Sequence, residues 1–339
     1  MKIAVIGATG AVGRQMIEEL AESPLDGFEL GLFASPRSAG QMLEFRGNKH
    51  KVKEFSIAEL SGYDYALMSA GGKFSKEHAR ALADAGTVVI DNSSAWRMDP
   101  EVPLVVPEVN GDVLKNGEHR IIANPNCSTI QMVVSLKPLR DKFGLDLVIV
   151  STYQSVSGTG QAGIEELASQ VKSELRLEQT EPKVYPQPIS FNVLPVIGPF
   201  DEGGNSEEEL KMVNETKKIF SDQSIDVLAT TVRVPVFSCH SESVVVRLKN
   251  PVTKSEVENA FKEGEGLVYV SESEPANIPT SKLVVGKQET YVSRVRTGEG
   301  GLVEGDGASK WVQYWNVADN LKKGAATNAV QILTALVGV

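Results

Sequence analysis

The chain has 339 residues, 41% of them hydrophobic and 23% charged, with a net charge of -10 at pH 7. That length divides into two ordinary domains, each able to bury its own core, and the composition excludes a disordered or fibrous chain. The acidic balance repels phosphate backbones and argues against nucleic acid as a partner, leaving room only for a small basic pocket for one anionic substrate.

The first element is the strand Lys2 to Ile6, which follows Met1 with no basic-then-apolar leader. With no run of about 18 apolar residues anywhere, we expect a cytoplasmic protein and no membrane partner. Gly7-Ala8-Thr9-Gly10-Ala11-Val12-Gly13 closes that strand and opens a helix from Gly13 to Ala21. Glycines stand where a tight turn and close backbone approach to a pyrophosphate leave no space for a Cβ, in a Gly-x-x-Gly-x-x-Gly variant of the dinucleotide fingerprint.

The second strand, Glu29 to Phe33, runs into Ala34-Ser35-Pro36-Arg37-Ser38 without the Asp or Glu that holds the ribose hydroxyls of NAD. Arg37 between Ser35 and Ser38 suits a 2′-phosphate, which predicts NADP; an Arg on a solvated turn and use of both cofactors are the alternatives. Strands Tyr65 to Ser69, Thr87 to Asp91 and Arg120 to Ala123, with a helix from Lys76 to Ala85, continue an alternation that predicts a doubly wound parallel sheet. Ser93-Ser94-Ala95-Trp96-Arg97 follows the strand ending at Asp91, at the carboxyl edge where such sheets bind ligands, and Arg97 there suits a phosphate.

Cys127 lies in Ala123-Asn124-Pro125-Asn126-Cys127-Ser128-Thr129, where Pro and two Asn stop a strand and an apolar helix begins. A helix N-terminus favours the thiolate, the reactive form of cysteine. Beside a dinucleotide site this points to redox chemistry through a thioester, the bland alternative being a small buried hydrophobe. The other cysteine, Cys239, is distant, and no Cys-x-x-Cys or Cys/His cluster indicates a metal, although a single disulfide stays open.

Downstream the pattern changes to longer strands. Asp146 to Gln154 is a strand whose last residue precedes Ser157-Gly158-Thr159-Gly160, and Gln161 to Leu177 is a helix. Glu181 to Asn205 is loop-like, either a surface excursion or an arm toward a second subunit. Ser206 caps a helix to Phe220 through a capping box with Glu209, leaving Glu208 and Lys211 on one face. Val227 to Phe237 and Glu242 to Lys249 read as paired strands. Of four His, only His240 follows an apolar strand, and it differs from Arg233 by an odd count, so their joint action requires a bend near Pro235 or Ser238. A helix from Thr253 to Glu263, strands Tyr291 to Arg296 and Trp311 to Val317 in one mixed sheet, and a core-facing helix from Asp319 to Val337 complete the chain.

Together, Gly7 to Gly13, Arg37-Ser38, Ser93 to Arg97, Asn124 to Thr129, Gln154 to Gly160, Glu208 to Lys211, Arg233 to His240 and the tail Asp319 to Asn328 resemble aspartate-β-semialdehyde dehydrogenase nearly end to end. The resemblance implies an α/β protein. It implies a Rossmann-like NADP-binding domain over 1–126, an α+β catalytic and dimerisation domain with a mixed sheet over 127–318, and a C-terminal helix, 319–339, that returns to the first. It implies NADPH-dependent reductive dephosphorylation of L-aspartyl 4-phosphate to L-aspartate 4-semialdehyde, for lysine, threonine and methionine biosynthesis, by a homodimer.

In that light Cys127 is the nucleophile, His240 the acid/base and Gln154 the residue orienting the acyl group. Arg97 and Lys211 hold phosphate, Arg233 the α-carboxylate and Glu208 the α-ammonium. Gly7, Thr9, Gly10, Ala11, Val12, Arg37, Ser38, Ser157, Gly158 and Asn320 contact NADP. Two rivals remain: an enzyme like N-acetyl-γ-glutamyl-phosphate reductase, and a non-catalytic dinucleotide-binding sensor.

Overall fold

Apolar runs without alternation build the first sheet, as expected of parallel strands buried on both faces. The computed structural model describes residues 1–115, 119–298 and 307–338. The chain forms two compact units, Met1–Asn126 with Ala325–Val339, and Cys127–Gly324.

The first unit runs β1 (Lys2–Ile6), α1 (Ala11–Glu22), β2 (Glu29–Ala34), the hairpin β3 (Met42–Phe45) and β4 (Asn48–Lys51), β5 (Lys53–Glu54), α2 (Ile57–Leu60), β6 (Tyr65–Met68), α3 (Gly72–Asp84), β7 (Val88–Asp91), α4 (Pro107–Asn110) and β8 (Ile121–Ala123). Its main sheet has the order β5-β2-β1-β6-β7-β8, with every pairing parallel. β1 lies next to both β2 and β6, so the chain reverses its direction of winding at β1. That puts the Gly7–Gly13 turn at the switch point, where such sheets bind nucleotides.

The second unit runs α5 (Cys127–Phe143), β9 (Leu145–Gln154), α6 (Gln161–Glu174), α7 (Glu207–Phe220), β10 (Asp226–Arg233), β11 (His240–Val252), α8 (Lys254–Glu263), β12 (Leu267–Val270), α9 (Ser281–Val284), β13 (Thr290–Thr297) and β14 (Ser309–Ala318). These strands form one mixed sheet of order β10-β9-β11-β14-β13-β12. α5 is buried almost all round, from Ser128 to Leu136, which suits a helix enclosed by its own unit. Ser206 accepts from Glu209 N and Glu209 answers at Ser206 N, so the capping box forms.

The strands read as neighbours, 227–237 and 242–249, are not adjacent. β9, the long apolar strand, lies between them, parallel to β10 and antiparallel to β11. Residues 234–239 cross the end of β9: Val234 N donates to Gln154 O (3.0 Å), Val156 N to Val236 O (2.9 Å) and Ser157 N to Phe237 O (3.2 Å). Pro235 has no N–H to offer a ladder, and Cys239 adopts φ +69°, so the chain turns there rather than continuing as a strand.

The last helix also differs from expectation. Lys322–Ala326 is a π-turn and regular helix, α10, occupies Thr327–Val337; Val339 lies outside the described residues. Asp319 and Asn320 are held in the second unit, Asp319 accepting from Leu321 N (3.0 Å) and Gly286 N (2.8 Å). From Ala326 on, the tail completes the first unit's core, where Ala329, Ile332 and Leu333 join the same buried cluster as Ile3, Val5, Met16 and Leu20. Asn328 Nδ2 donates to Val105 O (2.9 Å) and Asn124 Oδ1 (2.7 Å).

Candidate active site

Three adjacent strand ends bring three of the expected residues into one row. Arg233 is the register partner of Gln154, and His240 lies one position beyond the pair Ser241–Tyr153. Cross-strand partners share a sheet face, so Gln154, Arg233 and His240 converge although their sequence separations give no common parity. All three are buried. The required bend is the connection over the end of β9.

His240 is fully enclosed. Its Nδ1 accepts from Ser155 N (3.1 Å), which assigns the ring hydrogen to Nε2, and Nε2 itself has no protein partner. Burial, reinforced by the Arg233 guanidinium, lowers its pKa to about 3. A Cβ on Gly158 would stand 3.2 Å from Nε2 and 2.8 Å from Arg233 Nη1, so this glycine leaves open the face to which both side chains turn. Arg233 Nη1 donates to Ser155 O (2.6 Å), while its Nε is buried without a partner.

Gln154 is held at both ends of its amide: Thr152 Oγ1 donates to Oε1 (3.1 Å) and Nε2 donates to Glu208 Oε1 (3.0 Å). Glu208 Oε2 lies 3.6 Å from Lys211 Nζ, which also pairs with Glu207 (2.8 Å). The helical spacing of Glu208 and Lys211 thus delivers opposite charges beside the Gln154–Arg233–His240 row.

Cys127 is the first residue of α5 and half-buried, and neither it nor buried Cys239 is in a disulfide. Gly324 lies against it: a Cβ there would come within 2.9 Å of Cys127 Cβ and 3.5 Å of Asn320 Cβ. Asn320 Oδ1 accepts from Ser155 Oγ (3.0 Å), Ser157 Oγ (3.1 Å) and Cys239 N (2.9 Å). A continuous path therefore joins Cys127, Gly324, Asn320, Ser155 and His240. Ser155 and Gly324 were not singled out in the sequence. The first acts through its main-chain N–H and the second through its missing Cβ, and neither has a local signal.

The remaining expected residues lie in the first unit. Arg97 is buried, with Nε donating to Asn124 O (3.0 Å) and Nη2 to Asn92 O (3.1 Å). Gly7 has φ +83° and a Cβ there would overlap Ser69 O; one on Gly13 would overlap Gly7 O. The N-terminus of α1, after Thr9 and Gly10, has no side-chain cap, so its first N–H groups, at Ala11 and Val12, fit a pyrophosphate. Arg37 is exposed and Ser38 half-buried on a turn closed by Ser38 N to Ser35 O (2.9 Å), directly after β2. These residues fit a nicotinamide dinucleotide. Among the described residues no helix is long and apolar enough to cross a membrane.

Residues 2–117 match the family model of the semialdehyde dehydrogenase NAD binding domain, and 136–323 that of the semialdehyde dehydrogenase dimerisation domain. Aspartate-semialdehyde dehydrogenase of Aquifex aeolicus is 47% identical over 99% of this chain and 98% of its own. That of Bacillus subtilis is 43% identical over 99% of this chain and 97% of its own. The crystal structure of aspartate semialdehyde dehydrogenase II from Vibrio cholerae, complexed with ASA, superposes with a TM-score of 0.91 at 44% identity, covering 99% of this chain and 98% of that one. The first unit is a nicotinamide-dinucleotide-binding domain, and the comparisons support neither the acetylglutamyl rival nor the sensor. With both halves matched and relatives alike along their whole length, the chain belongs to the aspartate-semialdehyde dehydrogenase family.

Proposed function

We propose that this chain converts L-aspartyl 4-phosphate to L-aspartate 4-semialdehyde with NADPH, through a thioester on Cys127, for lysine, threonine and methionine biosynthesis. The observation that carries this is the row Gln154–Arg233–His240, joined through Asn320 and Gly324 to the cysteine. Arg233, with its unpartnered Nε, receives the α-carboxylate, and the Glu208 carboxylate receives the α-ammonium. An acetylated amine has no use for that counter-charge. Lys211 leaves its carboxylates and takes the phosphate.

The sulfur of Cys127 attacks the acyl carbon, the C–O bond to phosphate breaks, and the acyl group is retained as a thioester. NADPH, when bound, supplies the hydride for its reduction. His240 meets the substrate oxygen as a donor from its unpartnered Nε2 while negative charge grows there. Collapse of the thiohemiacetal then breaks the C–S bond, freeing the semialdehyde and the thiolate. The test is the reverse reaction: aspartate semialdehyde, phosphate and NADP are expected to yield NADPH absorbance, and no phosphate-dependent signal would refute the assignment.

Choice of NADP rests on Arg37. Arg37→Ala is expected to raise Kd for NADPH by about 30-fold, the loss of about 2 kcal/mol from a charge-assisted contact, and that for NADH by less than about twofold. Fluorescence titration of both cofactors checks it, and equal changes would remove the 2′-phosphate assignment. Gly324→Ala pushes on Cys127 and is expected to lower kcat by about tenfold or more while leaving NADPH affinity within about twofold. Steady-state rates and the same titration measure this, and an unchanged kcat would show that the close approach is unimportant.

Homodimerisation is supported by the second sheet's outer face, where Ile149, Tyr153, Leu228 and Trp315 are partly exposed apolar groups on β9, β10 and β14.

A further inference from the structure

β11 carries a second buried titratable group two residues beyond His240, and therefore on the same face: Glu242, with no accessible surface. It pairs across the sheet with Asn316 on β14 and Thr152 on β9. Asn316 Nδ2 donates both to Glu242 Oε2 (2.8 Å) and to the main-chain oxygen of Gln131 (3.2 Å). Gln131 is four residues after Cys127 on α5, one turn further along the same helical face. The acid thus sits where the helix that begins at Cys127 meets the strand that begins at His240.

Around this junction hydrogen-bond acceptors are in excess. Glu242 Oε1, Asn316 Oδ1 and the Gln131 side-chain oxygen are all buried acceptors short of a donor, and the Gln131 amide nitrogen, which faces the Glu242 carboxyl, can serve only that one. A carboxylate adds only acceptors here; a carboxylic acid supplies an O–H. Among the described residues no cation is set against this carboxyl. β14 presents the Tyr314 phenol, α5 Gln131 and Ser135, β9 Thr152, and β11 itself His240, which stays neutral. Burial raises the Glu242 carboxyl to about 8, only partly offset by the Gln131 and Asn316 amides.

We propose that Glu242 is a positioning residue that works in its protonated form, its O–H closing the Asn316–Gln131 junction and so fixing the start of α5 against the start of β11. This rests on the reading of Cys127 and His240 as the reacting pair. The sign of the linkage follows from the raised value: the stabilisation is complete below the ordinary 4.5 and is lost as pH rises through about 8. Glutamine has the same shape, cannot ionise and carries its own donor.

The experiment uses the full chain and compares wild type, E242Q and E242A. The thermal midpoint of E242Q relative to wild type is expected to rise between pH 6 and pH 9, and a constant difference overturns the proposal. E242A is expected to lose about tenfold or more in kcat at pH 7 with E242Q restoring most of it; equal losses in both, or none in E242A, overturn the positioning role. Should E242Q not fold, infrared spectroscopy of wild type decides. A carbonyl band of a protonated acid present at pH 7 and gone by pH 9.5 supports the proposal, and its absence at pH 7 refutes it. The midpoint and infrared readings need no turnover, so failure of the thioester reading is told apart from failure of this one.

Discussion

Replacing Cys127 with alanine is expected to lower kcat by about 10⁴-fold or more while NADPH binding stays within about twofold of wild type. The side chain stands half-buried at the first position of α5 and touches the chain at Gly324, so its loss leaves no large cavity and the helix N-terminus remains. What disappears is the atom that bonds to the acyl carbon, and no second thiol replaces it, because Cys239 is buried with its thiol at Ser281 O (3.4 Å) and burial raises its pKa strongly. Rapid mixing with aspartyl phosphate, quenched and weighed by mass spectrometry, is expected to show an acyl adduct on wild type and none on the variant. Turnover by the variant within about tenfold of wild type would exclude a covalent route.

Exchanging His240 for asparagine is expected to cost about 10² to 10³ in kcat, because the amide still accepts from Ser155 N but presents no imidazole N–H at the Nε2 position. The pH profile gives a sharper test. Since burial and Arg233 lower the ring's pKa to about 3, kcat/KM of wild type is expected to show no acid limb near 6.5. A depressed histidine also penalises folding in acid: the unfolded chain binds the proton first, so stability is full above 6.5 and falls by about 1.4 kcal/mol per pH unit toward 3. The asparagine variant lacks that slope. A limb near 6.5 in wild type that vanishes in the variant would mean that the ring titrates as if solvated.

Much of the first unit was legible because its signals are local. Lys2–Ile6 is a buried apolar run, and Gly13 is demanded by its contact with Gly7 O within the turn itself. The capping box at Ser206 was readable for the same reason: it is complete within four residues. The row of Gln154, Arg233 and His240 was not readable, since it depends on β9 lying between β10 and β11, and strand order is set by packing rather than by spacing. Parity along one strand required a bend near Pro235 or Ser238 for Arg233 and His240 to act together, and the turn at Pro235–Cys239 is that bend. The tail showed its apolar period but not its boundary, because Asp319 and Asn320 are fixed by bonds to distant residues rather than by helix propensity.

A nascent chain leaves the ribosome from its amino end, yet the interior around Ile3, Val5 and Met16 takes Ala329, Ile332 and Leu333 from the far carboxyl end. Until synthesis passes residue 325, those early strands keep a wet, unfinished side, whereas every residue of the intervening unit, 127–324, has already been made. The order of manufacture is thus inverted in the order of completion. The portion translated first is the last to become whole.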